Sequence, residues 1–118
     1  MNLSERLLAF LGALMAGSGV ALSAYAQHIE GGDLLRTGAM FLLIHGVAVI
    51  GAAAFGWAGK MHLMGWGALI LAAGTCLFAG DLASRALQGH SLFAYAAPTG
   101  GGAMIVAWAW LALAFLAG

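Results

Sequence analysis

Charge is what this chain has least of. Of 118 residues, 7% are Asp, Glu, Lys or Arg, against about 25% in ordinary soluble domains. Four basic and four acidic side chains cancel to a formal net charge of zero. There is no basic face to hold a phosphate backbone and no acidic tail, so nucleic-acid binding is excluded as a function class. A single cysteine, Cys76, excludes an intramolecular disulfide and any Cys-x-x-Cys redox or zinc motif. It lies in an apolar run and reads as packing. With one proline and no tandem repeat, polar tract or interdomain linker, the chain is not a low-complexity segment, although it carries 19 glycines.

What fills the sequence is apolar: 64% hydrophobic residues and a mean hydropathy of +1.00. About 20 such residues cross the roughly 30 Å of a bilayer's hydrocarbon at 1.5 Å per helical residue. Four runs meet that length, at about 7–26, 34–57, 63–83 and 101–117. The predicted fold is all-α, a polytopic membrane protein with four transmembrane helices in one up-down-up-down bundle. Frequent glycine then suits helices that approach one another closely. The breaks read as loops: Gln27 to Asp33 around Gly31-Gly32, Trp57 to Trp66 with Lys60 and His62, and Ser84 to Gly100 with Arg85, His90 and Pro98. Gly100-Gly101-Gly102 reads as a flexible or tightly turned entry to the last helix.

Trp57 and Trp66 flank the middle loop as interfacial residues, with Tyr25 and Tyr95 towards the opposite side. Arg6 and Lys60 fall on one side and Arg36 and Arg85 on the other. The terminal amine tips this tied count towards both termini in the cytoplasm.

The first run follows Arg6 and closes on Ala24-Tyr25-Ala26, the small-x-small pattern of a signal-peptidase site. Within it, however, Gly12, Ala16, Gly19 and Ser23 recur at helical spacing and make a face for close helix contact. A disposable leader needs no such stripe, so the run reads as a retained, signal-like helix.

Three polar residues in or just beyond the spans are candidates for function. His45 lies near the middle of the second span, on the row Gly38, Leu42, His45, Val49, Ala52, Gly56. At that depth a polar group needs a partner. It is either a neutral imidazole bonded to another helix or a ligand or proton carrier. His28, His62 and His90 all fall at span ends, so no second histidine matches His45 in depth and no haem, metal or other cofactor is expected. Asp81 and Arg85 stand four apart, acid before base, the favourable order for a helix ion pair. Their row runs back through Phe78, Gly74, Leu71 and Gly67, with Gly67 and Gly74 as close-approach positions. Thr75 can return its hydroxyl to its own helix. Trp108 and Trp110 are mid-span and two apart, so they face different ways and at least one meets lipid or a partner protein. The row Ala103, Ala107, Ala114 supplies the bundle-facing side. No nucleophile with an adjacent base and no phosphate loop is found.

Four stretches together resemble the domain-of-unknown-function family 423, the YgdD-like small membrane proteins. They are Ala24-Tyr25-Ala26-Gln27-His28 closing a glycine- and alanine-rich first helix, Ile44-His45-Gly46, Phe78-Ala79-Gly80-Asp81, and Ala97-Pro98-Thr99-Gly100-Gly101. The resemblance implies a four-helix protein of the bacterial inner membrane or an organellar relative, and no established activity.

The expected function is that of a non-catalytic accessory or scaffolding subunit, surrounded by membrane lipids and packed against a protein partner or further copies of itself. Loops too short for a soluble active site, abundant small residues and the mid-span tryptophans all point there. Two other readings remain. One is a small oligomeric transporter or channel lined by His45 and Asp81/Arg85; the other is a lipid or quinone site beside His45.

Overall fold

The computed structural model describes residues 1–59 and 62–117, so Lys60 of the orientation count lies outside the described residues. Helix α1 spans Leu3–Ala26, α2 Gly32–Gly59, α3 His62–Gln88 and α4 Ala96–Ala117. All four are long and apolar enough to cross a membrane, which makes this a multi-pass, all-α membrane protein.

Local chemistry sets the helix ends. Asn2 caps α1: its Oδ1 accepts the Glu5 N–H at 2.9 Å, and Glu5 Oε2 accepts the Asn2 N–H at 2.9 Å, a reciprocal capping box. Helix α3 stops at Gly89, where φ is +80° and glycine carries no Cβ penalty. Pro98 stands in the first turn of α4, where its missing N–H costs nothing.

Every helix runs past the apolar stretch that marks its span. Ser84–Gln88 and Ala96–Gly100, read from the sequence as loop, are helical, and the α3–α4 connection shrinks to residues 89–95. Hydropathy locates the part of a helix that suits lipid, whereas the backbone hydrogen bonds continue into the headgroup zone, where Ser84 and Arg85 are tolerated. Gly100-Gly101-Gly102 is likewise helical and forms no turned entry; a Cβ on Gly100 would lie 2.6 Å from the Phe78 nitrogen of α3.

Adjacent helices pack antiparallel. A Cβ on Gly12 would lie 2.6 Å from the Gly46 carbonyl oxygen, and one on Gly19 would lie 2.6 Å from that of Ala39, so rising numbers on α1 meet falling numbers on α2. Gly38 of α2 faces Ala79 and Leu82 of α3; Gly74 and Gly67 of α3 face Gly100 and Leu111 of α4. Helices α2 and α3 are central, with α1 outside α2 and α4 outside α3. The core of Met15, Leu42, Val49, Met64, Leu71 and Met104 lies among them. In lipid this interior gains little from the hydrophobic effect, since acyl chains are as apolar as leucine. Close van der Waals contact and interhelical hydrogen bonds hold it together.

Candidate functional site

His45 stands at the midpoint of α2 and is 7% exposed. Its row, Gly38, Leu42, Val49, Ala52 and Gly56, is buried with it. Nδ1 lies 2.9 Å from the Phe41 carbonyl one turn back, and Nε2 lies 3.1 Å from the indole nitrogen of Trp108 on α4. A carbonyl only accepts and an indole N–H only donates, so the imidazole is neutral, with its hydrogen on Nδ1 and its lone pair on Nε2 towards Trp108. Both nitrogens are in use. The ring also stacks on Phe41 at 5.5 Å and meets Trp108 edge-on at 5.7 Å.

The other mid-span polar groups are likewise satisfied within the bundle. Thr75 Oγ1 donates to the Leu71 carbonyl at 2.6 Å in its own helix. Trp110 Nε1 donates to the Leu63 carbonyl of α3 at 2.8 Å. The two tryptophans thus serve different helices, Trp108 reaching α2 and Trp110 reaching α3. Each keeps part of its ring outside, with 45% and 39% exposure.

Asp81 is fully buried on α3 and organises the α3–α4 connection. Its Oδ1 accepts the Leu92 N–H at 2.8 Å. Arg85 Nε lies 3.2 Å from Oδ2 but donates to Ser91 Oγ at 3.0 Å. The ion pair is therefore a Coulombic contact, and Oδ2 has no hydrogen-bond donor among the described residues. Ser84 Oγ donates to the His90 carbonyl at 2.6 Å. Three residues on one face of α3 therefore hold three consecutive residues of the connection, which ends at Tyr95 with φ +66°. The structure does not bring this cluster to His45. The imidazole is engaged by Phe41 and Trp108 and the carboxylate by Leu92 and Arg85, with no partner in common.

The glycine rows form two helix seams. Gly12 and Gly19 are buried and Ala16 is half-buried against α2, where a Cβ on Gly46 would lie 2.6 Å from the Ala16 nitrogen. On the other side, a Cβ on Gly74 would lie 2.9 Å from the Gly100 carbonyl oxygen, and one on Gly67 would lie 2.5 Å from Leu111. Among the described residues, no three His, Cys, Asp or Glu side chains converge as a metal site would require.

A crevice of about 510 Å³, which nothing in the hydropathy pattern marks, lies between the first halves of α1 and α3, against α2. Its lining includes Asn2, Glu5, Leu8, Ala53, Gly56 and His62. A second recess of about 380 Å³ shares Asn2, Glu5, Gly56 and His62. The available signal was Gly65, whose missing side chain leaves open space beside Leu8.

The sequence pattern of the family described as "Protein of unknown function (DUF423)" matches residues 11–101, from the α1 seam through Gly101. No curated protein and no solved structure matches the chain.

Proposed function

The chain belongs to the DUF423 family, and from that premise we propose that it is a non-catalytic accessory or scaffolding subunit that packs against other membrane proteins or further copies of itself. We place it in a bacterial inner membrane with both termini cytoplasmic and α1 retained uncleaved. The observation that carries the reading is the inward satisfaction of the mid-span polar groups. His45, Thr75, Trp108 and Trp110 each spend their hydrogen bonds inside the bundle. What remains for the surroundings is apolar helix surface, such as Phe10 and Val20 on α1 and Ile105, Leu113 and Leu116 on α4. Such surface suits lipid and the close contact of neighbouring membrane helices.

Crosslinking in native membranes, followed by purification in mild detergent, tests the reading. A discrete heavier species containing this chain is expected, and a free monomer alone would refute it.

A small oligomeric transporter or channel is the second reading, favoured by the buried Asp81 Oδ2 that lacks a hydrogen-bond donor among the described residues. It requires subunits to share a path, since His45 and Asp81 have separate partners. Flux through proteoliposomes that survives His45→Ala and Asp81→Asn unchanged would remove it. A quinone or lipid at His45 would have to take Nε2 from Trp108, which makes that third reading the weakest.

A further inference from the structure

We propose that the crevice between α1, α2 and α3 binds one acyl chain of a membrane phospholipid whose headgroup carries a primary ammonium, of the phosphatidylethanolamine type. This goes beyond the accessory role and does not depend on it.

The volume, about 510 Å³, lies in the ordinary range of small-molecule sites, roughly 300–1,000 Å³. The opening comes from a missing side chain at Gly65, where a Cβ would find only Leu8 Cδ1, at 4.0 Å, while the buried Ala53 and Gly56 of α2 lie behind it. The flanks are apolar. Leu7, Trp66 and Leu69 line the crevice and are also exposed on the outer surface, so the mouth opens sideways onto the acyl phase.

Polarity is confined to one end. Leu11 marks the deep limit on α1 and Asn2 the shallow one, nine residues or roughly 13 Å along the helix, so the crevice descends from the headgroup zone into the hydrocarbon. At the shallow end stand Asn2, Ser4, Glu5 and His62. Glu5 Oε2 already accepts the Asn2 N–H, yet a carboxylate has lone pairs for further donors. Glu5 is the one formally charged side chain among the described lining residues; its charge disfavours an anionic head, and its free lone pairs favour an N–H-bearing ammonium over the quaternary one of phosphatidylcholine. The Asn2 side-chain amide donates as well as accepts and, with the Ser4 hydroxyl, suits the phosphate oxygens behind that ammonium.

The test uses the full chain in mild detergent, exposed to equal amounts of phosphatidylethanolamine, phosphatidylglycerol and phosphatidylcholine and weighed by native mass spectrometry. One phosphatidylethanolamine should be retained preferentially. Glu5→Gln, which preserves the capping box, should reduce that preference by roughly threefold, the effect of a part-exposed charge pair, while leaving a lipid bound. Gly65→Leu should abolish retention at unchanged helix content. Equal retention of all three lipids, or a folded Gly65→Leu chain that binds as before, would overturn the proposal. Independently of any variant, phosphatidylethanolamine with a photoreactive acyl chain should label Leu8 or Leu11. Label confined to outward residues such as Ile105 and Leu116 would equally overturn it.

Discussion

Trp108 on α4 donates its indole N–H to Nε2 of His45 on α2 across 3.1 Å, and with the Phe41 carbonyl at Nδ1 this contact fixes the tautomer of the imidazole. Proton transfer to Nε2 would set one N–H against another. Binding of a metal or haem iron there would first require Trp108 to swing away. The contact ties together two helices that are not neighbours in the chain. In nitrogen-labelled protein, His45 should show a protonated Nδ1 and an unprotonated Nε2. The reverse pattern would contradict the assignment.

The same contact sets an energy scale. Interhelical hydrogen bonds in membranes average about 0.6 kcal/mol and reach about 1.7, because the helices find other partners when separated. His45→Ala and Trp108→Phe should each destabilise the bundle. A double-mutant cycle in mixed detergent should return a coupling of about 0.5–1.5 kcal/mol. A coupling of zero would mean that packing alone, not the hydrogen bond, orders α4 against α2.

The α1–α2 seam makes a sharper distinction between two glycines of one helix. A Cβ on Gly46 would lie 2.5 Å from the Gly12 carbonyl oxygen and 2.6 Å from the Ala16 nitrogen, backbone atoms that cannot rotate away, whereas Gly51 has nothing within 4 Å. Gly46→Ala should therefore force the helices apart at a cost of about 1–3 kcal/mol, and Gly51→Ala should stay within about 0.5 kcal/mol. Reversible unfolding of the two variants side by side checks this, and equal effects would show that α1 does not rest on that face.

Asp81 secures the connection between α3 and α4. Asp81→Ala leaves the Leu92 N–H without its acceptor and Arg85 without its counter-charge. About 1–3 kcal/mol of local stability should be lost, and Leu92 should exchange its amide hydrogen faster. Asp81→Asn can keep the Oδ1 acceptor but cannot answer the guanidinium, so Leu92 should stay protected more than in the alanine variant. Hydrogen exchange that is indifferent to both changes would show that residues 89–95 hold themselves.

The spans were legible because lipid imposes a single demand, a long apolar run, and the seams because small residues at helical spacing admit another backbone. Both signals are local. The partner of His45 was not legible: Trp108 lies 63 positions away, and its mid-span depth fits a lipid-facing ring as well as a hydrogen-bond donor. Asp81 was readable as half of an ion pair with Arg85, since four residues separate them on one helix face. Its bond to the Leu92 N–H was hidden because it depends on the course of the connection. The crevice was the least visible feature, since Gly65 resembles the seam-forming glycines until the arrangement of three helices leaves only the tip of Leu8 near it.

At the α3–α4 seam, Gly67 and Trp110 should behave as one unit. A Cβ on Gly67 would lie 2.5 Å from Leu111 Cδ2 and 2.9 Å from Trp110 Cδ1. The leucine tip can rotate, but the indole is tied to the Leu63 carbonyl at 2.8 Å and has little room to yield. Gly67→Ala should therefore cost about 1–2 kcal/mol, mostly through the displaced ring, and the indole N–H resonance of Trp110 should move. Trp110→Phe alone should cost about 1 kcal/mol for the lost hydrogen bond. In the double variant the smaller, untethered phenyl ring can shift to admit the alanine methyl, so the combined cost should fall below the sum of the single costs by at least about 0.5 kcal/mol. Strict additivity would mean that the methyl is accommodated by Leu111 or by the helix axes, and that the Trp110 tether plays no part in holding α4 to α3.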